Sequence, residues 1–137
     1  MYSPQKTFAD RYHRVQVETT VDNADPHKLV DLLLVGAIDA ISKARGCLER
    51  QDVTGKGQQV GRAVRILEEG LRSSLDKTAG GKIAQDLDQL YQYVIRRLTL
   101  ANLRNDAAGL GECVDLLMPV KEAWTAIRPA ATAARKV

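Results

Sequence analysis

Four stretches of apolar residues recur at spacings of three and four along this chain, and short polar breaks separate them. Such spacing places the apolar side chains on one face of an α-helix. Because the breaks near residues 51–52, 78–81 and 105–106 are short, consecutive helices should lie side by side in opposite directions. The pattern therefore predicts an all-α fold, an antiparallel up-down four-helix bundle.

The first predicted helix has a clear start. Asp25 can cap it, and Pro26 suits the first helical position because its missing N–H would have no helical partner there. The helix should extend to about Arg50. Its predicted core stripe comprises Leu29, Leu33, Gly36, Ala37, Ala40, Ala44 and Cys47.

The other three helices carry stripes of the same kind, which predict the rest of the core. In the second helix the stripe comprises Val60, Val64, Leu67, Leu71 and Leu75. In the third helix it comprises Ile83, Leu87, Leu90, Tyr91, Val94, Leu98 and Ala101. In the fourth helix it comprises Leu110, Cys113, Val114, Leu117, Val120, Trp124 and Ile127. Asp106 can cap the fourth helix, and Pro119 should kink it by removing a backbone donor.

We expect three segments: an N-terminal arm (residues 1–24), the bundle (residues 25–128) and a disordered tail (residues 129–137). The arm has no firm helical period, although it can form a short extra helix. It nevertheless holds half of the chain's aromatic residues, and its large apolar side chains are Tyr2, Phe8, Tyr12, Val15, Val17 and Val21. Because this is too much apolar surface for a solvated tail, the arm should lie across the bundle.

The residue patterns that catalysis needs are missing. A carboxylate-bridged metal site in a bundle needs Glu-x-x-His pairs, and the chain has none. His27 stands at a helix start, where a solvated side chain is expected, and the glycines from Gly55 onward follow no strand. Cys47 and Cys113 lie far apart on apolar faces, which favours buried free thiols in a reducing cytosol. We therefore expect no enzyme, and no catalytic residue, metal or cofactor.

Charge and hydropathy argue against two classes of partner. A net charge of +3 is small for a protein that binds nucleic acid. The longest apolar run, Leu32 to Ile38, is far shorter than the roughly 20 residues that cross a bilayer. The polar start of the chain does not resemble a signal peptide. We expect neither nucleic-acid binding nor membrane insertion.

The first helix has more apolar surface than one core face needs. From Leu29 to Ile38 only Asp31 is polar, and a helix that is apolar almost all round must be covered. The side chains that point to the sides and back of the core stripe are Leu32, Leu34, Val35 and Ile38. Either neighbouring helices and the arm cover them, or they form a groove for a partner.

The third helix shows a milder surplus. Tyr91 belongs to the core stripe, whereas Tyr93 lies about 200° away around the helix. The two rings therefore cannot face the same core. Tyr93 and Leu100 share an outward face, which makes them a candidate interface.

The run GGKIAQDLDQLYQYVIRRLTLANLRND, Gly80 to Asp106, resembles the third-helix signature of FliS, the family of flagellin export chaperones. The other matching motifs are Asp25-Pro26-His27-Lys28-Leu29 and Gly36-Ala37 in the first helix, Tyr12, Val15 and Val17 in the arm, and Trp124 in the fourth helix. The resemblance extends over roughly Tyr2 to Ile127. Several motifs in the family's order make it specific.

The resemblance implies a cytoplasmic chaperone that binds the disordered C-terminal region of flagellin, prevents premature polymerisation and delivers it to the flagellar type III export gate. In the family, the arm covers part of the binding surface of the free chaperone, and the tyrosine that matches Tyr12 is implicated in docking on the gate. Two departures affect the local shape of the groove. Leu34-Val35 replaces an aromatic-Asp pair, and Pro119 interrupts a helix that is usually regular.

Candidate residues, partners and an alternative complete this interpretation. The client-groove candidates are Leu32, Leu34, Val35, Ile38, Tyr93 and Leu100. The arm and gate-docking candidates are Tyr2, Phe8, Tyr12, Val15 and Val17. The implied partners are the flagellin C-terminal segment and a component of the export gate, and an arm-swapped homodimer stays open. The alternative is a helical adaptor or phosphorelay-type bundle with an unrelated client, which an exposed His27 would support.

Overall fold

The computed structural model describes residues 25–136, except for the side chains of residues 128–136. Its helices are α1 (Pro26–Glu49), α2 (Val53–Arg65), which continues as a π-helical segment (Ile66–Arg72), α3 (Lys77–Arg104) and α4 (Ala107–Lys136). No strand occurs within the described range. The prediction of an all-α four-helix bundle is therefore confirmed. The arm candidates lie outside the described residues, and they stay predictions: Tyr2, Phe8, Tyr12, Val15 and Val17.

Each helix begins after an aspartate whose carboxylate accepts backbone N–H groups of the first turn, at 2.9–3.3 Å. The four capping residues are Asp25, Asp52, Asp76 and Asp106. Such a cap stabilises a helix by about 1 kcal/mol because it satisfies donors that have no partner inside the helix. The sequence predicted the caps Asp25 and Asp106. It did not predict Asp52, because glycines follow it in the second helix, or Asp76, because a break was expected just after it at residues 78–81.

α1 and α3 lie diagonally across the bundle. α1 packs against α2 and α4, and α3 packs against the same two helices. The largest fully buried side chains include Leu34, Ile41, Ile66, Leu67, Leu71, Leu98, Leu110 and Leu117. The predicted stripes form the core, and both cysteines are buried free thiols.

Two residues of the predicted stripes do not belong to the core. Ile83 is 74% exposed and Ile127 is 51% exposed. Both lie at the end of the bundle where α1 begins. Ile127 lies about one turn beyond Trp124, whose ring already contacts the first turn of α1. Helix periodicity predicts the face correctly, but it does not show where the opposing helix stops.

The predicted break at residues 78–81 is only partly correct. α3 begins earlier, at Lys77, because Asp76 caps it. Gly81 then adopts φ 57° and ψ −134°, a conformation that an L side chain rarely tolerates. The first turn of α3 is therefore offset from the rest of the helix.

The second half of α2 has a geometry that the sequence did not indicate. Ile66–Arg72 forms a π-helical segment, which is wider than an α-helix. Gly70 lies on the side of this segment that faces α1, where a Cβ atom would be 3.0 Å from Cδ2 of Leu33. A larger residue at this position would push α1 and α2 apart.

α4 is continuous across Pro119. Pro119 and Asp115 are both exposed, so the carbonyl group that loses its helical donor borders solvent. The helical backbone also continues past Pro129 to Lys136, where the predicted disordered tail lies. The division of the chain into arm, bundle and tail stays a prediction.

Candidate functional site

An apolar cleft of about 320 Å³ opens at the end of the bundle where α1 and α3 begin. Its lining residues are Val30, Leu71, Ser74, Leu75, Asp76, Gly80, Ile83, Ala84, Leu87, Tyr91 and Trp124. We call it the end cleft. Its size falls in the range of typical ligand pockets. Because nearly all of its lining side chains are apolar, it suits aliphatic or aromatic side chains rather than a charged ligand.

Small residues at the start of α3 keep the end cleft open. Gly80 and Ala84 both line the cleft, and neither has a side chain large enough to occupy it. A Cβ atom on Gly80 would lie only 2.7 Å from Cβ of Ala84, so a larger residue at position 80 would not fit without a shift of the backbone. Ile83 keeps its place on the core-facing side of α3, but it lines an open cleft instead of a packed core. Tyr91 lies at the buried side, and its burial raises the pKa of the phenol to about 12.

Trp124 forms the wall of the end cleft that faces α1. Its ring stacks on the ring of His27, with centroids 4.4 Å apart and an angle of 10° between the planes. Beside this pair, the hydroxyl of Thr125 donates a hydrogen bond to the carboxylate of Asp31 at 2.6 Å. These contacts hold α4 against the first turns of α1.

His27 is buried, so the expectation of a solvated side chain is wrong. Among the described residues neither ring nitrogen has a hydrogen-bond partner, and both nitrogens are inaccessible to solvent. The Trp124 ring covers it because α4 extends past the first turn of α1. A phosphorelay histidine must be exposed to receive a phosphoryl group. This placement therefore removes the observation that would have favoured the phosphorelay alternative.

A polar cluster ties the π-helical segment to α3 close to the end cleft. The buried carboxylate of Asp88 accepts hydrogen bonds from Arg72 Nε at 2.7 Å and Gln92 Nε2 at 2.8 Å, and it pairs with Lys77 Nζ at 3.1 Å. Arg72 also pairs with Glu68 at 2.9 Å. The hydrogen bond from Arg72 is the main cause that lowers the pKa of Asp88 to about 2, although burial opposes it. The cluster fixes the relative position of two elements that line the cleft.

On α1, the predicted groove candidates occupy different environments. Val35 is exposed, and Leu32 and Ile38 are half-buried. Leu34 is fully buried and packs in the core, so it does not belong to a groove. Both flanks of α1 are covered, one by α2 and the other by α4, and Leu34 lies on a covered flank.

On α3, Tyr93 and Leu100 are exposed, at 40% and 37%. The Tyr93 hydroxyl donates a hydrogen bond to Glu112 of α4 at 2.5 Å, and the same carboxylate accepts one from Arg97 Nε at 2.8 Å. Both bonds lower the pKa of Glu112, with the Tyr93 hydroxyl as the main cause, and the bond to Glu112 raises the pKa of Tyr93.

The predicted client-groove candidates therefore form two surfaces rather than one groove. Since α1 and α3 are diagonal in the bundle, the outer face of α1 and the outer face of α3 point in different directions. The end cleft is a third surface, and the sequence missed it because its residues read as core. The adjacent Gly80-Gly81 pair was the one signal of an interruption there.

Neither a metal site nor a membrane span is found among residues 25–136. No group of three or more His, Cys, Asp or Glu side chains in this part of the chain is arranged to hold a metal ion. None of its helices is both long enough and apolar enough to cross a membrane.

Comparison with known proteins gives one consistent family. The family model described as flagellar protein FliS matches residues 8–131. The chain is 46% identical over 121 residues to the flagellar secretion chaperone FliS of Salmonella typhimurium, which covers 88% of this chain and 90% of that protein. It is 42% identical over 117 residues to the flagellar secretion chaperone FliSB of Pseudomonas aeruginosa, with 85% and 92% covered. It is 27% identical over 107 residues to the FliS chaperone of Bacillus subtilis, with 78% of each chain covered.

Proposed function

Because the chain belongs to the FliS family, whose members are secretion chaperones and not enzymes, we propose that it is a flagellar export chaperone. Its client in this proposal is the disordered C-terminal region of flagellin. Binding in the cytoplasm would keep flagellin from polymerising prematurely, and the complex would then dock on a component of the type III export gate.

The end cleft is the observation that carries this proposal. It offers an apolar site that described residues leave open, and a polypeptide client can fill it with large side chains. Burying one such side chain contributes about 1.5–3 kcal/mol. Ordering a disordered segment costs roughly 2–5 kcal/mol or more, so a client needs more than one such anchor.

The arrangement of the exposed apolar residues favours a flexible client. Val35 on α1, Tyr93 on α3 and Ile83 at the end cleft face different directions around the bundle. A folded partner could cover one of these surfaces at a time. A disordered chain can wrap around the bundle and contact all of them, as segments that fold on binding often do.

The N-terminal arm is long enough and apolar enough to cover the end cleft. It joins the bundle at Asp25, only a few residues before Val30, which lines the cleft. Twenty-four residues can extend over roughly 80 Å, so the apolar arm can reach the whole cleft. We include in the proposal that the arm covers the cleft until the client displaces it, and that Tyr12 then contacts the gate.

Calorimetry with the C-terminal segment of the host's own flagellin tests the function directly. We expect heat of binding with a stoichiometry of 1:1, and native mass spectrometry should show the same complex. The absence of both the heat and the complex would refute the proposed function. A complex that contains two copies of the chaperone would instead indicate exchange of the arm between protomers.

A further inference from the structure

A strip of exposed residues follows the outer side of α3 over its last three turns. It consists of Tyr93, Arg96, Leu100, Leu103 and Arg104, and we call it the α3 ridge. All five side chains are exposed, and Leu103 is 78% exposed. Their spacing of three, four and seven residues places them on one side of the helix. The strip is about 16 Å long.

The acidic residues next to the α3 ridge are already engaged. Arg97 pairs with Asp106 at 3.3 Å and with Glu112 at 2.8 Å, and Glu112 also accepts the hydrogen bond from Tyr93. Gly109 makes room for this arrangement, because a Cβ atom there would lie 2.7 Å from Nη1 of Arg97. Because both carboxylates are engaged in this way, neither is left to pair with Arg96 or Arg104, the two arginines of the ridge.

Arg96 and Arg104 have no acidic partner among the described residues. They lie on either side of Leu100, four residues before it and four after it. The distance along the helix between the two positions is about 12 Å. The guanidinium groups of Arg96 and Arg104 therefore flank one exposed apolar side chain, Leu100, and about two helical turns separate the two arginines.

The end of α3 that carries these residues is held in place. Lys56 of α2 is buried, and its ammonium group donates hydrogen bonds to the carbonyl of Asn102, at 2.8 Å, and to the side chain of Asn105. The hydroxyl of Tyr93 is tied to α4. A surface ordered in advance loses less conformational entropy when a partner binds.

We infer that the α3 ridge binds an acidic amphipathic segment of the client polypeptide. An apolar side chain of that segment packs against Tyr93 and Leu100, and two carboxylates about 12 Å apart pair with Arg96 and Arg104. Guanidinium groups suit this role because they bind carboxylates with two parallel hydrogen bonds. The inference rests on the proposed function, since it names the chemistry of one part of the client.

The test compares two variants that each lose two positive charges. Arg96→Gln/Arg104→Gln removes the charges of the ridge. Arg65→Gln/Lys121→Gln removes two charges elsewhere, from side chains that form no ion pair among the described residues. The probe is the host's flagellin C-terminal segment, and calorimetry measures its Kd with the full chain at low and at high sodium chloride.

We expect the ridge variant to bind roughly three- to tenfold more weakly at low salt, because two exposed ion pairs are lost. Its Kd should also depend less on salt than that of the unmodified chain, since screening acts on those pairs. The control variant should keep the original affinity and salt dependence. Equal effects of both variants, or no effect of the ridge variant, would overturn the inference while leaving the proposed function intact. Failure of the unmodified chain to bind the segment would overturn both.

Discussion

Trp124 contacts His27 in two ways at once, although 97 residues separate them in the chain. Its indole ring lies flat on the imidazole ring, and its Nε1–H donates a hydrogen bond to the backbone carbonyl of His27 at 2.9 Å. One side chain of α4 thereby covers the His27 ring, whose nitrogens have no hydrogen-bond partner within residues 25–127, and satisfies a carbonyl of the first turn of α1. The pair closes one wall of the end cleft.

The two contacts of Trp124 can be separated by substitution. Trp124→Phe retains a stacked ring and loses the hydrogen bond, so the free energy of unfolding should fall by about 1 kcal/mol. Trp124→Ala loses both contacts, and we expect a fall of about 2–4 kcal/mol. Urea denaturation followed by circular dichroism measures both values. If Trp124→Ala were as stable as the unmodified chain, this wall would not hold α1 and α4 together.

Stability should depend on pH through Asp88. Its pKa is lowered to about 2 in the folded state from an ordinary value of 3.8, mainly by the hydrogen bond from Arg72. A lowered folded-state pKa stabilises the fold above the unfolded value, and this contribution is lost as pH falls from about 4 towards 2. The loss should be at most about 2.5 kcal/mol.

Asp88→Asn should remove most of this acid sensitivity, and it should lower stability at pH 7. Asp86→Asn is the matched control, because Asp86 is exposed and, within the part of the chain that the structure describes, pairs only with the exposed Lys82, at 2.9 Å. Denaturation curves at pH 7, 4 and 2.5 compare the three proteins. An unchanged acid transition in Asp88→Asn would mean that other carboxylates cause it.

Charge substitutions on the outer face of α1 can distinguish a role in packing from a role in client binding. Leu32 is half-buried, so a charge there should disturb a bound client more than the fold, whereas Ile38 also packs against the core. We expect Leu32→Asp to weaken client binding about tenfold with a smaller loss of stability. Thr54→Asp, an exposed change in the first turn of α2, should affect neither quantity. Equal losses of binding and stability would place Leu32 in the core instead.

The helices and most of the core could be predicted from the sequence, because the spacing of apolar residues within one helix is a local property. The covered flanks of a helix are not local. His27 is buried because Trp124 of α4 covers it, and Leu34 is buried because its flank of α1 is covered by a neighbouring helix. No pattern within α1 shows how far those helices extend. The end cleft was missed for a related reason: Leu71, Ile83 and Trp124 have core spacing, but the π-helical segment and the kink at Gly81 leave a space between them.

The arm should compete with the client for the end cleft. In the proposed function the apolar side chains of the arm cover the cleft, so Tyr2→Ser/Phe8→Ser should let the client segment bind more tightly and associate faster. Gln5→Ser, a polar exchange within the same arm, should behave like the unmodified chain. Stopped-flow measurements of Trp124 fluorescence, from the only tryptophan in the chain, can follow the association. Weaker binding by the double variant would show that the arm assists the client instead of excluding it.

The most direct test of client binding at the end cleft is one pair of calorimetric titrations with the flagellin C-terminal segment. Ile83→Glu places a charge at the cleft, on a side chain that is 74% exposed, and Val53→Glu places one at the opposite end of the bundle, on a side chain that is 58% exposed. Neither change removes a core contact, so both variants should fold. We predict that Ile83→Glu raises the Kd about tenfold or more, because a buried apolar contact is replaced by a desolvated charge. Val53→Glu should leave the Kd unchanged. Equal affinities for the two variants would contradict the account.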